Sequence, residues 1–144
     1  MGEIEVRQRI KAPALDVFNV IADVTTHPTY AHFCKRLEIT SEQRSGVGVT
    51  FTQHADHGDG QLHEVYSRIA RWEPGEHVSW VNTDAEGQPQ VEVFYDLIQD
   101  GDYTEVIHRV RGPMLDDEAL RQRSFDENVS ELHSLQQLIE LPGG

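Results

Sequence analysis

Apolar and polar residues alternate over residues 3–11, with Ile4, Val6 and Ile10 on one face and Glu3, Glu5, Arg7, Arg9 and Lys11 on the other. That period of two predicts a strand with one wet face. Ala12-Pro13-Ala14 ends it, because proline cannot donate to a ladder and suits the first turn of a helix. Val17, Phe18, Val20 and Ile21 then supply the apolar side of a short helix ending near Asp23. Thr25-Thr26-His27-Pro28 restarts the chain with a hydroxyl available as N-cap, and Tyr30, Ala31 and Phe33 predict one or two further helical turns.

From Leu37 onward the period returns to two, and glycine-containing turns separate the runs. Gly46 and Gly48 precede residues 49–52, Gly58-Asp59-Gly60 precedes 62–72, and Pro74-Gly75 precedes 78–81. Glu86-Gly87 precedes 91–98, and Asp100-Gly101 precedes 103–111. With the strand that opens at Leu37, seven strands are predicted. Gly112-Pro113 breaks the last one, and Asp116, Asp117 and Glu118 place negative charge where a helix N-terminus is partially positive. Leu120, Phe125, Val129, Leu132, Leu135, Leu138 and Ile139 recur near 3.6, predicting a helix of roughly 25 residues that ends at Pro142-Gly143-Gly144.

Consecutive hairpins make the sheet mainly antiparallel, and its apolar face must be covered. The one element long enough is the C-terminal helix. The expectation is therefore an α+β helix-grip fold over a single domain, residues 1–144: a seven-stranded curved antiparallel sheet wrapped around a long C-terminal helix, with two short helices after strand 1. A sheet curved around one helix encloses more space than side chains fill, so a cavity for a small hydrophobic ligand is expected between them.

Composition narrows the function classes. Asp and Glu number 25 against 12 Lys and Arg, a formal charge of −13, which repels nucleic-acid phosphates and anionic headgroups. No nucleic-acid partner is expected. Apolar runs fall short of the ~18–20 residues that span a bilayer, and the N-terminus has no apolar signal core. No membrane insertion and a cytoplasmic location are expected. Cys34 is the single cysteine, so an internal disulfide and a multi-cysteine metal site are excluded.

Residues 10–30 (IKAPALDVFNVIADVTTHPTY) resemble the opening of the SRPBCC superfamily, also called START-like or Bet v 1-like, through Ala12-Pro13, Val17-Phe18, Ala22-Asp23 and His27-Pro28. Residues 47–51 (VGVTF) resemble its third strand, and 68–80 (RIARWEPGEHVSW) its fourth and fifth. The resemblance implies the same helix grip, in a family whose roles range from aromatase/cyclase to lipid or quinone carrier, hormone receptor and chaperone cofactor. Residues 27–39 (HPTYAHFCKRLEI) are similar to the coenzyme Q-binding branch, including a cysteine where Cys34 stands. The strand over 62–71 instead resembles the polyketide cyclase/dehydrase branch, whose members use a cavity-facing arginine. Ile69 stands at that position here, so an arginine-based mechanism of that kind lacks its residue.

Alternation places His63, Val65, Ser67 and Ile69 on one face of the fourth strand and Val106, His108 and Val110 on one face of the seventh. His63 and His108 are thus the candidate catalytic residues, since histidine exchanges protons near neutral pH. The competing reading of each is a half-buried histidine satisfied by a neighbour. Tyr30, Cys34, Val65, Ser67, Ile69, Trp80, Tyr95, Asn128 and Leu132 are the candidate ligand contacts, Asn128 because it interrupts the apolar stripe of the last helix. Residues 54–63 carry metal-ligand types, but at a glycine-rich hairpin tip that lacks a pre-orienting second shell, so no metal is expected. Nucleotide and phosphate-loop motifs are absent, so no cofactor is expected.

Three functions compete. The first is a cofactor-independent polyketide cyclase/dehydratase-like enzyme acting on an oxygenated, largely apolar substrate. The alternative is a non-catalytic carrier or sensor of a lipid or quinone, and the third is a protein-interaction factor of the Hsp90-activator kind. A polar-lined cavity favours the first, a long dry tunnel the second and a filled core the third.

Overall fold

In the computed structural model, which describes residues 1–141, β1 (Gly2–Ile10) is followed by α1 (Ala14–Ala22), a 3-10 turn at Val24–Thr26 and α2 (His27–Tyr30). Six strands follow: β2 (Cys34–Ile39), β3 (Thr50–Ala55), β4 (His63–Glu73), β5 (His77–Thr83), β6 (Pro89–Asp100) and β7 (Tyr103–Gly112). A 3-10 turn at Pro113–Asp116 leads into α3 (Glu118–Glu140). The expected end of the last helix at residues 142–144 lies outside the described residues.

The strands form one antiparallel sheet in the order β1-β7-β6-β5-β4-β3-β2. Every neighbour in sequence from β2 to β7 is a hairpin partner, and β1 closes the far edge against β7, with Gly2 opposite Gly112 and Ile10 opposite Thr104. Gly101 makes the β6–β7 turn at φ +61°, a left-handed conformation that glycine adopts without a Cβ clash. The sheet grips α3, and α1 and α2 cover one end, so the expected helix grip is the observed fold.

The core lies between sheet and helices. Val17, Phe18 and Ile21 of α1 are buried with Tyr30, Val49, Phe51, Ile69, Val78, Trp80, Leu132 and Leu135. Asp117 caps α3 by accepting a 3.0 Å bond from the Leu120 amide, satisfying a donor that the first turn leaves unpaired.

The face that α3 turns inward differs from the apolar stripe read from its sequence. Phe125 and Val129 are exposed, whereas Asn128, Glu131, Leu132 and Leu135 are buried. The N-terminal half of the helix borders a cavity rather than a packed core, so its inward face carries polar residues and the apolar spacing misassigns the face.

Candidate functional site

The cavity between α3 and the concave face of β3–β7 has a volume of about 290 Å³. Trp80, Val91, Val93, Tyr95 and Val110 form its apolar wall, and His27, Gln53, His108, Asn128 and Glu131 contribute polar atoms.

At one end α3 delivers Glu131, which is only 1% exposed. Tyr95 Oη donates to Glu131 Oε2, and His108 Nε2 lies 3.5 Å from the same oxygen. The other nitrogen of His108, Nδ1, sits 3.2 Å from the Phe94 carbonyl. Both ring nitrogens thus face acceptors, an arrangement that suits a ring donating from both sides. Tyr95 and His108 stack with centroids 4.1 Å apart. These contacts follow from register: Tyr95 of β6 is directly opposite His108 of β7, and both point inward.

Burial by itself raises the pKa of Glu131, but the charge and hydrogen bond of His108, the charge of His27 and the hydroxyl of Tyr95 outweigh it and hold the carboxyl below its usual range. His27 shows the opposite balance. Burial lowers its pKa despite the attraction of Glu131, so the ring favours its neutral form. Its Nδ1 lies 3.3 Å from Tyr30 Oη, and its ring meets Trp80 edge-on. Desolvation pushes both buried phenols, Tyr30 and Tyr95, well above the ordinary tyrosine range.

The mouth is closed on one side by the segment between β3 and β4. His57 Nδ1 contacts Glu127 Oε2 of α3 at 2.6 Å, and Phe33 stacks on the His57 ring with centroids 5.4 Å apart. All three side chains border the cavity.

The fold with this cavity has clear counterparts among solved structures. The chain superposes on the Aha1 dimer structure from Colwellia psychrerythraea with a TM-score of 0.75 at 16% identity, covering 100% of both chains. The Zhui aromatase/cyclase from Streptomyces sp. R1128 gives 0.74 at 15% identity, over 99% of this chain and 98% of that one. Ara h 8.0201 gives 0.73 at 13% identity, over 95% and 96%. This is the helix-grip fold. No family model and no curated protein matches the sequence. At these identities the helix grip is shared as a fold alone, and its use here must be argued from the residues.

The expected site residues are placed unevenly around the grip. His108, Val65, Trp80, Tyr95 and Asn128 border the cavity. Tyr30, Ser67, Ile69 and Leu132 are buried beside it in the core: Tyr30 reaches the cavity through His27, and Ser67 through Gln53.

His63 departs from its expected position. It opens β4 past the end of the cavity, so alternation sets its side but nothing covers it. Its side chain is 54% exposed and its Nε2 lies 2.8 Å from Asp59 Oδ2. Cys34, expected as a ligand contact, is instead buried in the core outside the cavity lining, with its thiol on the Arg36 carbonyl, and burial lifts its pKa to about 11. His54, read as part of a loop, belongs to β3 and contacts Glu38 and Arg36 of β2. Among the described residues no cluster of three metal-ligand side chains occurs, and no helix is long and apolar enough to cross a membrane.

Glu131, His27, Gln53 and Arg123 were missed. One signal for Glu131 was available: it stands three residues after Asn128, one turn along the same face.

Proposed function

We propose that this protein binds a small, largely apolar, oxygenated molecule in the helix-grip cavity and acts on it as a cofactor-independent cyclase/dehydratase-like enzyme. The observation that carries this reading is the buried array of His27, Tyr95, His108 and Glu131 on the cavity wall. A carrier or a purely structural core gains nothing from an enclosed carboxylate with two imidazoles nearby, because buried ionic groups are costly to desolvate.

The two histidines are biased toward opposite roles. His27, kept neutral by burial, accepts a proton from the carbon beside a substrate carbonyl. His108, oriented through Nδ1 by the Phe94 carbonyl, turns its Nε2–H from the long 3.5 Å contact with Glu131 to the departing hydroxyl, which takes that proton and leaves as water. The substrate loses one proton and one hydroxide, and no oxidant or reductant is required. Glu131 stabilises the proton on His108, and Tyr95 orients Glu131. The cavity volume also supports a compact ligand over a long isoprenoid chain, which favours this reading over the quinone carrier. The aromatase/cyclase among the similar structures is consistent with it.

Native mass spectrometry of freshly purified protein should identify a co-purifying small molecule, whose turnover can then be followed. Loss of a working acid or base is expected to lower turnover by ~10²–10⁴-fold in His27→Gln and His108→Gln, with His63→Gln unchanged. A bound molecule recovered unaltered, with no turnover by the unmodified protein, would establish a carrier instead.

A further inference from the structure

Three polar atoms in the cavity wall have no protein partner within hydrogen-bond distance: Gln53 Oε1, Asn128 Nδ2 and Arg123 Nε. Gln53 and Asn128 are 4% and 5% exposed, and buried polar groups are almost always paired. The orientation of Gln53 is held from behind. Its Nε2 donates to Ser67 Oγ at 3.4 Å, and the Ser67 hydroxyl donates to Asn82 Oδ1 at 2.7 Å. A hydroxyl has one proton to give, so Gln53 must offer Ser67 its amide N–H and the cavity its carbonyl.

Arg123 sits toward the mouth, where it also borders a shallow hollow with His57, Asp59 and His63. Of the carboxylates that border these hollows, Asp59 contacts His63, Glu127 contacts His57, and Glu64 accepts from the Tyr66 hydroxyl. Arg123 is the one Lys or Arg among the described residues lining the main cavity. On a chain of formal charge −13, a buried guanidinium N–H without a protein partner, on a residue that lines the cavity, selects for an anionic oxygen. The eight-position separation of Arg123 and Glu131 corresponds to about 12 Å along the helix, so an anion at the mouth stays clear of the Glu131 carboxylate.

Size limits the body of the ligand. A cavity of about 150 Å³ holds one benzene ring, and this one, at about 290 Å³, is roughly twice that. We propose that the cavity recognises a two-ring aromatic hydroxycarboxylic acid. One carboxylate oxygen accepts from Arg123 Nε, another oxygen of the ligand accepts from Asn128 Nδ2, and a ring hydroxyl donates to Gln53 Oε1. This rests on the reading of the cavity as a ligand site, not on its being catalytic.

The test is calorimetric titration of the intact protein with 6-hydroxy-2-naphthoate, 2-naphthoate and 2-naphthol. The hydroxynaphthoate should bind at least about 10-fold more tightly than 2-naphthol, the usual scale for a charge-assisted hydrogen bond in an enclosed site. Arg123→Gln should erase that advantage while leaving 2-naphthol unaffected, and Arg123→Lys should recover part of it. Gln53→Leu should remove the advantage of hydroxynaphthoate over 2-naphthoate, with circular dichroism confirming that each variant is folded. Equal binding of 2-naphthol and hydroxynaphthoate, or an advantage that survives Arg123→Gln, would overturn the inference and leave the cavity a ligand site. Failure of all three compounds to bind the folded protein would overturn both.

Discussion

Tyr95 lies flat on His108, with ring planes 6° from parallel, and both side chains turn their polar ends to the same carboxylate oxygen of Glu131. Two neighbouring strands and the gripping helix therefore meet at one buried charge. The contact joins the sheet to α3 where the cavity interrupts the apolar core, so the same side chains pack the helix on the sheet and carry the buried charge of the site.

That arrangement makes the contributions of His108 and Glu131 interdependent. His108→Ala leaves a buried carboxylate without its imidazole partner and is expected to destabilise the fold by about 3–5 kcal/mol. Pairing it with Glu131→Gln should recover much of that loss. A double-mutant cycle by urea denaturation checks this, and additive effects would show that the two groups are not coupled.

His27 sets a dependence on pH. Its pKa in the folded protein is lowered, chiefly by burial, so below the ordinary histidine value the unfolded chain takes up a proton that the folded one refuses. Its contribution to stability is therefore complete above about pH 6.5 and declines as pH falls from there toward the depressed folded value. Melting temperatures of the unmodified protein and His27→Gln, compared between pH 7.5 and 5, should converge at the acid end as the variant escapes this penalty. Parallel curves would place the acid sensitivity elsewhere.

Cys34 should be chemically silent in the native state. Its thiol is buried and its pKa lies at about 11, and the thiolate is the reactive form. A disulfide reagent at pH 8 is expected to label the native protein slowly and the urea-unfolded chain at once. Equally fast labelling of both would mean that the region around α2 and β2 opens readily.

The mouth should loosen when its tie to α3 is cut. His57→Ala removes both the contact to Glu127 and the stack on Phe33, while Asp56 still accepts from the Gly58 and Gly60 amides and keeps the turn. Amide exchange should accelerate across residues 56–62, with β5–β7 unchanged. Unchanged exchange in that segment would assign the closure to the turn alone.

The sequence by itself determined the order of elements and the fold that follows from it. Strict alternation around Val6, Phe51 and Tyr95 can satisfy only sheet geometry, glycine turns force neighbouring strands to pair, and a single long helix leaves the sheet one way to cover its apolar face. Trp80, Tyr95 and His108 were legible as cavity residues for the same reason, because period two fixes which face a strand residue occupies, and Asn128 was legible as a polar break in the apolar stripe of the helix. Tertiary structure decided the rest. Alternation says which side of the sheet His63 is on, but not that β4 outruns the cavity there and leaves it beside Asp59 in solvent. Helical spacing suggested that Phe125 and Val129 face inward. The helix instead turned Asn128 and Glu131 toward the sheet, because a carboxylate can be buried where a tyrosine and two histidines from distant parts of the chain offset its desolvation. That compensation depends on distances between β6, β7, α2 and α3, and no local pattern in any one of those segments encodes it.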